Sequence, residues 1–272
     1  MADKPDSAPQ YAKSLTFKMA GVVIIGSTGL VVCLPKQSPY FPAPSDENQG
    51  SHILTTSLTT PSFATISALT RRPLPASLSL TNKLHPLENS DTTTWASTIT
   101  SLSPSPSVLI SGLGTTRAQA GGFANQRKID YDLNLELAQA AAKAGVKHYV
   151  LISSANASSK SWFGYPRMKG ELEDAVSALG FEKVVIVRPG LIVGSREDSR
   201  PPEYAFRVLA GAMGKVSGGA LKDFWAQDAE VIGRAAVSAA VKCLDGTAPA
   251  GKVWSIGQSE IVKLGRTEWK GE

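Results

Sequence analysis

The chain has 272 residues, 42% hydrophobic and 19% charged, which suits one large α/β domain, or at most two, with a sizeable core. Its net charge of +5 is spread over 28 scattered Lys and Arg residues with no basic run or aromatic-interleaved stripe, which argues against a nucleic-acid partner. Cys33 and Cys243 are too few for a disulfide framework and point to a reducing compartment, and His52, His85 and His148 lack metal-ligand spacing, so no structural metal is expected.

Residues 1–18 read as a flexible leader. They lack an apolar core, so they are no secretory signal, and they contain no arginine, which makes a poor transit peptide; Met19 is an alternative start. The apolar stretch Ala20–Leu34, broken by Ser27 and Thr28, is shorter than the ~20 residues that span a bilayer. Within it, Gly21-Val-Val-Ile-Ile25 reads as a buried parallel strand. Further strands are predicted at Ala64–Leu69, Val108–Ser111, His148–Ile152, Val184–Val187 and Lys252–Ile256. Helices are predicted over Tyr131–Ala144, Pro166–Leu179 and Ala229–Leu244. Residues 73–107, rich in Ser, Thr, Pro and Leu, read as loop. Residues 195–225, with a short helix from Tyr204, read as a substrate-side excursion, and 257–272 as a tail. The alternation predicts a Rossmann-like, doubly wound parallel sheet in a single domain over residues 19–256 with a small C-terminal substrate-side region. The ligand crevice of such a sheet lies beyond the carboxyl ends of its strands, and the polar and glycine clusters of this sequence fall there.

The first strand runs into Gly26-Ser-Thr-Gly29, the start of a phosphate loop of the form Gly-x-x-Gly-x-x-Gly. The third position is Val32. From Leu34 onward the text loses its pattern and carries Pro35, Pro39, Pro42 and Pro44, through which no helix can run. Removing residues 32–49 joins Val31 to Gly50 and yields a complete Gly-x-x-Gly-x-x-Gly entering an amphipathic helix. The separation of Gly29 from Arg71 then falls to 24, near the ~20 usual between glycine loop and ribose-recognition residue. Residues 32–49 are therefore either a translated retained intron or a surface insertion. Val32-Cys33 is compatible with a GTATGT donor and Gln49 with a CAG acceptor, and eighteen codons keep the reading frame.

The second strand ends in Thr70-Arg71-Arg72. NAD sites usually carry Asp or Glu there, whereas arginine pairs with a 2′-phosphate, so NADPH is favoured over NADH; the competing reading is a pair of solvated loop residues. Tyr165 and Lys169 are four apart at a helix start and share a face. An ammonium beside a phenol favours the phenolate and makes a proton shuttle. Ser153 and Ser154, at the end of the preceding strand, are placed to hydrogen-bond a substrate carbonyl, and the alternative is a packed Tyr with an exposed Lys.

Taken together, Gly26-Ser-Thr-Gly-Leu30, Leu69-Thr-Arg-Arg72, Ser111-Gly-Leu-Gly-Thr-Thr116, Asp130-Tyr-Asp-Leu-Asn134, Ile152-Ser-Ser154, Tyr165-Pro-Arg-Met-Lys-Gly-Glu171 and Arg188-Pro-Gly190 resemble the atypical short-chain dehydrogenases. Within these, the chain is similar to the fungal "found in mitochondrial proteome fifty-two" family from Met19 to Ile256. The resemblance implies peripheral association with the cytosolic face of the mitochondrial outer membrane. It implies NADP binding through Gly26, Thr28, Gly29, Gly50 and Arg71, with Arg72, Pro189 and Gly190 beside them, and a Tyr165, Lys169 and Ser154 (or Ser153) site. It names no substrate and no oligomeric state. Two functions compete: an NADPH-dependent carbonyl reductase, or a non-catalytic NADP-binding regulatory or scaffold protein.

Overall fold

The computed structural model describes residues 19–26, 52–74, 78, 81–193 and 226–270. The leader, the 32–49 segment, Thr28, Gly29, Gly50 and the 195–225 excursion lie outside these residues. In chain order the strands are β1 (Ala20–Ile25), β2 (Phe63–Thr70), β3 (Leu84–Glu88), β4 (Val108–Ser111), β5 (His148–Ile152), β6 (Lys183–Val187), β7 (Leu191–Val193), β8 (Ala226–Asp228) and β9 (Val253–Ile256). The helices are α1 (His52–Thr59), α2 (Trp95–Ser101), α3 (Phe123–Arg127), α4 (Asn134–Lys143), α5 (Gly164–Ala178), α6 (Ala229–Leu244) and α7 (Gln258–Val262).

Seven strands form one parallel sheet in the order β3-β2-β1-β4-β5-β6-β9. The chain works outward from β1 to β3, then returns to β4 on the other side of β1. That reversal opens a crevice above the carboxyl ends of β1 and β4, the usual ligand position in an open α/β sheet.

Strand β1 shows why the sheet is two-sided. Val22 and Ile24 pack with Ile53 and Leu54 of α1 and with Val231, Ile232 and Ala235 of α6. Val23 and Ile25 pack with Trp95 and Ile99 of α2, Leu137 and Ala141 of α4, and Leu172 and Val176 of α5. With both faces covered, the strand carries no polar alternation, which is how its unbroken apolar run arises. The predicted doubly wound α/β architecture is the one observed.

Three stretches differ from the sequence reading. Residues 73–107 are not all loop, since they contain β3 and α2. Strand β3 is an edge strand, with exposed His85 and Pro86 and little apolar signal; an edge tolerates the missing N–H of Pro86. Helix α2 is anchored by Trp95, whose indole N–H donates to the Asn89 carbonyl at 3.0 Å. The helix expected from Tyr131 begins at Phe123 and runs through a wider, π-type turn, Lys128–Leu133, into α4. Beyond Ile256, the stretch read as a tail forms α7 and a helical turn at Lys263–Thr267 that bury Ile261 and Leu264 against α6.

Strands β7 and β8, which flank residues 194–225 in the chain, form a separate two-stranded parallel pair. Among the described residues, no helix is long and apolar enough to cross a membrane.

Helix α5 approaches the loop after β5 so closely that a Cβ on Gly170 would lie 2.1 Å from the Ser159 nitrogen and 2.2 Å from the Ser158 carbonyl carbon. Alanine in a helix interior normally gains about 1 kcal/mol over glycine. Overpacking against backbone costs about 3 kcal/mol and should dominate. Gly170→Ala is therefore expected to lower the denaturant midpoint, corresponding to a net loss of about 2 kcal/mol. An unchanged or raised midpoint would refute the close approach.

Candidate active site

The carboxyl ends of β1, β2, β4, β5 and β6 each contribute a polar or glycine segment to one crevice. At the end of β1, Gly26 has φ +82° and sits under the β4 loop. A Cβ there would lie 2.7 Å from the Leu113 nitrogen and 2.9 Å from the Gly112 carbonyl carbon. Glycine is needed twice over, for the left-handed backbone and for the approach of the two loops. The Gly112 N–H donates to the Ile25 carbonyl at 3.1 Å and ties the loops together.

At the end of β2, Thr70 is buried and its hydroxyl has no hydrogen-bond partner, whereas Arg71 and Arg72 are exposed and make no ion pair among the described residues. The two arginines thus lie where the sequence analysis put them, with charge unspent.

The Ser-Tyr-Lys candidates gather at the ends of β5 and α5. Tyr165 is on the first turn of α5 and partly exposed, and Lys169 lies one turn later. Lys169 is only 4% exposed, and its ammonium makes one long hydrogen bond, 3.4 Å to the Ile152 carbonyl at the end of β5. It has no ion pair among the described residues, so two of its three donors are unspent. Burial pulls its pKa below the ordinary lysine range, while the charges of Asp130 and Glu173 pull it back up.

The two serines separate. Ser153 is buried, and its hydroxyl donates to Glu173 Oε1 at 2.5 Å, so it is spent on a structural bond. Ser154 is half-buried with no side-chain hydrogen bond among the described residues, which leaves it as the serine able to reach a ligand. Pro189 is buried and its carbonyl accepts from the Ala155 N–H at 2.8 Å; the Gly190 N–H donates to Gln227 Oε1 at 2.7 Å. The β6 loop is thereby held against both the β5 loop and β8.

Several supporting residues escaped the sequence reading as functional groups. Glu173, one turn beyond Lys169 and 3% exposed, accepts from Arg188 Nε at 3.1 Å and from its terminal nitrogen at 2.5 Å. This paired hydrogen bonding raises the Arg188 pKa. Asn134 accepts from Ser111 Oγ at 2.6 Å and donates to the Leu113 carbonyl at 3.1 Å, fixing the β4 loop. It also donates to the Asp130 carbonyl at 3.2 Å, inside the π-type turn, a distortion that is frequent at functional sites. Asp130 is 1% exposed and accepts from the Thr115 N–H at 2.6 Å. Burial raises its pKa; Lys169, the Thr115 N–H and Gln126 lower it. Asp130, Asn134 and Arg188 fall within motifs that carry the family resemblance, but their roles left only a spacing signal: Asp130 with Asn134, and Lys169 with Glu173, are each four apart on a helix.

The residues present fit a dinucleotide. Among the described residues, the crevice offers a glycine turn at Gly26, a buried Thr70 hydroxyl without a hydrogen-bond partner, two arginines without an ion pair, and a buried ammonium with donors to spare. A reduced nicotinamide held there would supply a hydride.

Comparison with known proteins places this geometry in a family. Residues 78–210 match the HIM1 family model. The chain is 51% identical over 250 residues to "Protein fmp52, mitochondrial" of Aspergillus fumigatus, covering 91% of this chain and 99% of the relative. It is 44% identical over 250 residues to "Protein fmp-52, mitochondrial" of Neurospora crassa, covering 91% and 96%. Among solved structures, the UDP-Glc/GlcNAc 4-epimerase of Campylobacter jejuni aligns with a TM-score of 0.58 at 16% identity, over 90% of this chain and 82% of that one. The enzyme WbmH of Bordetella bronchiseptica, solved in complex with NAD+, aligns with a TM-score of 0.57 at 17% identity, over 88% and 75%. At these identities the solved structures speak for the Rossmann-like fold alone, whereas the fungal relatives match nearly end to end, and the chain belongs to the fmp52 family.

Proposed function

We propose that this chain is an NADPH-dependent carbonyl reductase using Ser154, Tyr165 and Lys169, and that it works peripherally on the cytosolic face of the mitochondrial outer membrane. One observation carries the chemical reading: a buried ammonium with unspent donors one helical turn from a phenol at the mouth of a Rossmann crevice. Two of the Lys169 donors suit the ribose hydroxyls of a dinucleotide, and its charge favours the Tyr165 phenolate. Tyr165 gives its proton to the substrate oxygen as the alkoxide forms. Ser154 donates a hydrogen bond to the same oxygen and fixes the carbonyl's direction. Glu173, held by Arg188 and Ser153, keeps the strand ends in register beneath the reacting groups.

Trp162 and Phe163, 96% and 77% exposed, stand just before Tyr165 in the chain, and exposed aromatics there suit an apolar or aromatic carbonyl substrate. The location rests on the family resemblance and on relatives whose names carry the word mitochondrial.

Cofactor choice rests on Arg71. An arginine–phosphate pair contributes roughly 1.5–3 kcal/mol, and a carboxylate in its place adds repulsion. Arg71→Glu is expected to weaken NADPH about 100-fold while changing NADH by less than about threefold, read from dissociation constants in calorimetric titrations. Equal losses for both nucleotides would remove Arg71 from the 2′-phosphate site.

A further inference from the structure

Trp162 and Phe163 are the two most exposed large apolar side chains among the described residues, and they are neighbours in the chain. The turn that carries them is firmly held. The Ser158 N–H donates to the Pro166 carbonyl at 3.0 Å, the Ser161 N–H to the Ser158 carbonyl at 2.9 Å, and the Arg167 N–H to the Phe163 carbonyl at 3.0 Å. The Phe163 N–H donates to Ser161 Oγ at 3.2 Å. Helix α5 lies so close beneath that Gly170 has no room for a Cβ against Ser158 and Ser159. The two rings therefore project from a fixed turn, and exposing them costs hydrophobic free energy that a partner would recover.

The surroundings say what kind of partner. Phe123, at the start of α3, packs on the same turn: a Cβ on Gly164 would lie 3.0 Å from its ring. Residues 112–126 and 155–167, which meet at this contact, contain no Asp or Glu and carry Arg117, Lys160 and Arg167, all exposed. The nearest acid in the chain, Glu171, is taken up by Arg127 at 2.7 Å and faces Arg167 at 3.8 Å. Two aromatics in a basic, carboxylate-free setting match an anionic bilayer surface, where rings enter the headgroup boundary and Lys or Arg meets lipid phosphate. Two such rings offer at most about 500 Å², short of the roughly 800 Å² per partner of a stable protein interface.

We propose that Trp162 and Phe163, flanked by Lys160 and Arg167, form the surface by which this chain docks on an anionic lipid bilayer. Tyr165 follows Phe163 by two residues, so docking here turns the Tyr165 side of the chain toward the membrane. The inference rests on the peripheral-membrane reading above and assigns that role to one turn.

The test is co-sedimentation of the full-length chain with vesicles of phosphatidylcholine and phosphatidylserine, and with phosphatidylcholine alone. The wild type should bind the mixed vesicles at least about tenfold more tightly than the neutral ones. Replacing both rings, Trp162→Ser with Phe163→Ser, should weaken binding to the mixed vesicles about 30-fold or more. Lys160→Ala should cost about fivefold on mixed vesicles and nothing on neutral ones. With bromine on the acyl chains, part of the tryptophan fluorescence of the bound wild type should be quenched. Trp162→Phe should still bind and should lose that quenching.

Undiminished binding by the double serine variant overturns the proposal and puts the attachment elsewhere in the chain. Quenching that persists in Trp162→Phe overturns it too. Both rings are exposed, so the denaturant midpoint of the double variant should hold. Should it fall, the conservative Trp162→Phe decides: lost quenching supports the proposal and retained quenching refutes it. A wild type that leaves both vesicles untouched refutes the peripheral-membrane reading and the proposal together, and Trp162-dependent self-association would then mark this face as a contact between copies.

Discussion

Tyr165→Phe is expected to lower carbonyl reduction by about 1,000-fold, within the range attributed to general acid catalysis by a positioned side chain. That is about 4 kcal/mol of transition-state stabilisation carried by one hydroxyl. NADPH affinity should stay within about threefold of wild type, because the phenol hydrogen-bonds the reacting oxygen and the aromatic ring is kept. The measurement is NADPH oxidation with apolar aldehydes and ketones, alongside a cofactor titration of the same preparation. Loss of turnover with retained binding supports the acid role. If the wild type turns over none of these carbonyls, or the variant keeps its rate, the chain uses its crevice to bind nucleotide without this chemistry.

Deleting residues 32–49 is expected to tighten NADPH binding by about 30- to 100-fold. Strand β1 ends at Ile25, and the next described element is α1, which starts at His52. A strand and the helix that follows it are usually separated by 2–6 residues, whereas residues 26–51 separate these two in the sequence. Deletion leaves eight residues, 26–31 and 50–51, that read as an unbroken Gly-x-x-Gly-x-x-Gly entering α1. Two backbone N–H bonds to pyrophosphate regained at a helix start contribute roughly 2–2.8 kcal/mol, which is the fold-change expected. Stability should change far less. Loop-closure entropy grows only logarithmically, so the shortening stabilises the fold by about 1 kcal/mol. The expected signature is therefore a large change in NADPH affinity with a small change in stability. Equal NADPH affinity with and without it would show the segment to be harmless, and a transcript that carries it in every copy would exclude a retained intron.

Much of the architecture was legible because burial on both faces leaves a coarse mark. Val22–Ile25, Val108–Ile110 and Val184–Val187 are unbroken apolar runs, and a parallel sheet is the fold that demands them. Helix α6 was legible from end to end, since its alanine-rich buried face repeats at helical spacing. Strand β3 was not, because an edge strand with exposed His85 and Pro86 lacks that pattern. The start of the α3–α4 run was missed for a related reason: its inner face is polar, with Gln126, Asp130 and Asn134 buried at helical spacing where an apolar stripe would be sought.

The site divides in the same way. Tyr165 and Lys169 share one helix, so their spacing alone pairs them. The groups that support them come from distant segments. Glu173 meets Arg188 and Ser153 only because α5 packs across the ends of β5 and β6. Asp130 and Asn134 hold the β4 loop from a separate turn. Sequence spacing carries no record of such contacts. The family resemblance put Ser154 ahead of Ser153, and the structure adds a physical distinction, since the buried Glu173 captures the Ser153 hydroxyl.

The most direct test of the central claim is a crystal structure of the chain with NADPH and a non-reacting carbonyl analogue. The account requires the 2′-phosphate beside Arg71, the ribose hydroxyls on Lys169, and the analogue's oxygen within about 3 Å of both Tyr165 Oη and Ser154 Oγ, the reach a proton donor needs. A nucleotide seated elsewhere, or a bound nucleotide with the Tyr165 hydroxyl turned out of reach of the analogue, would contradict it.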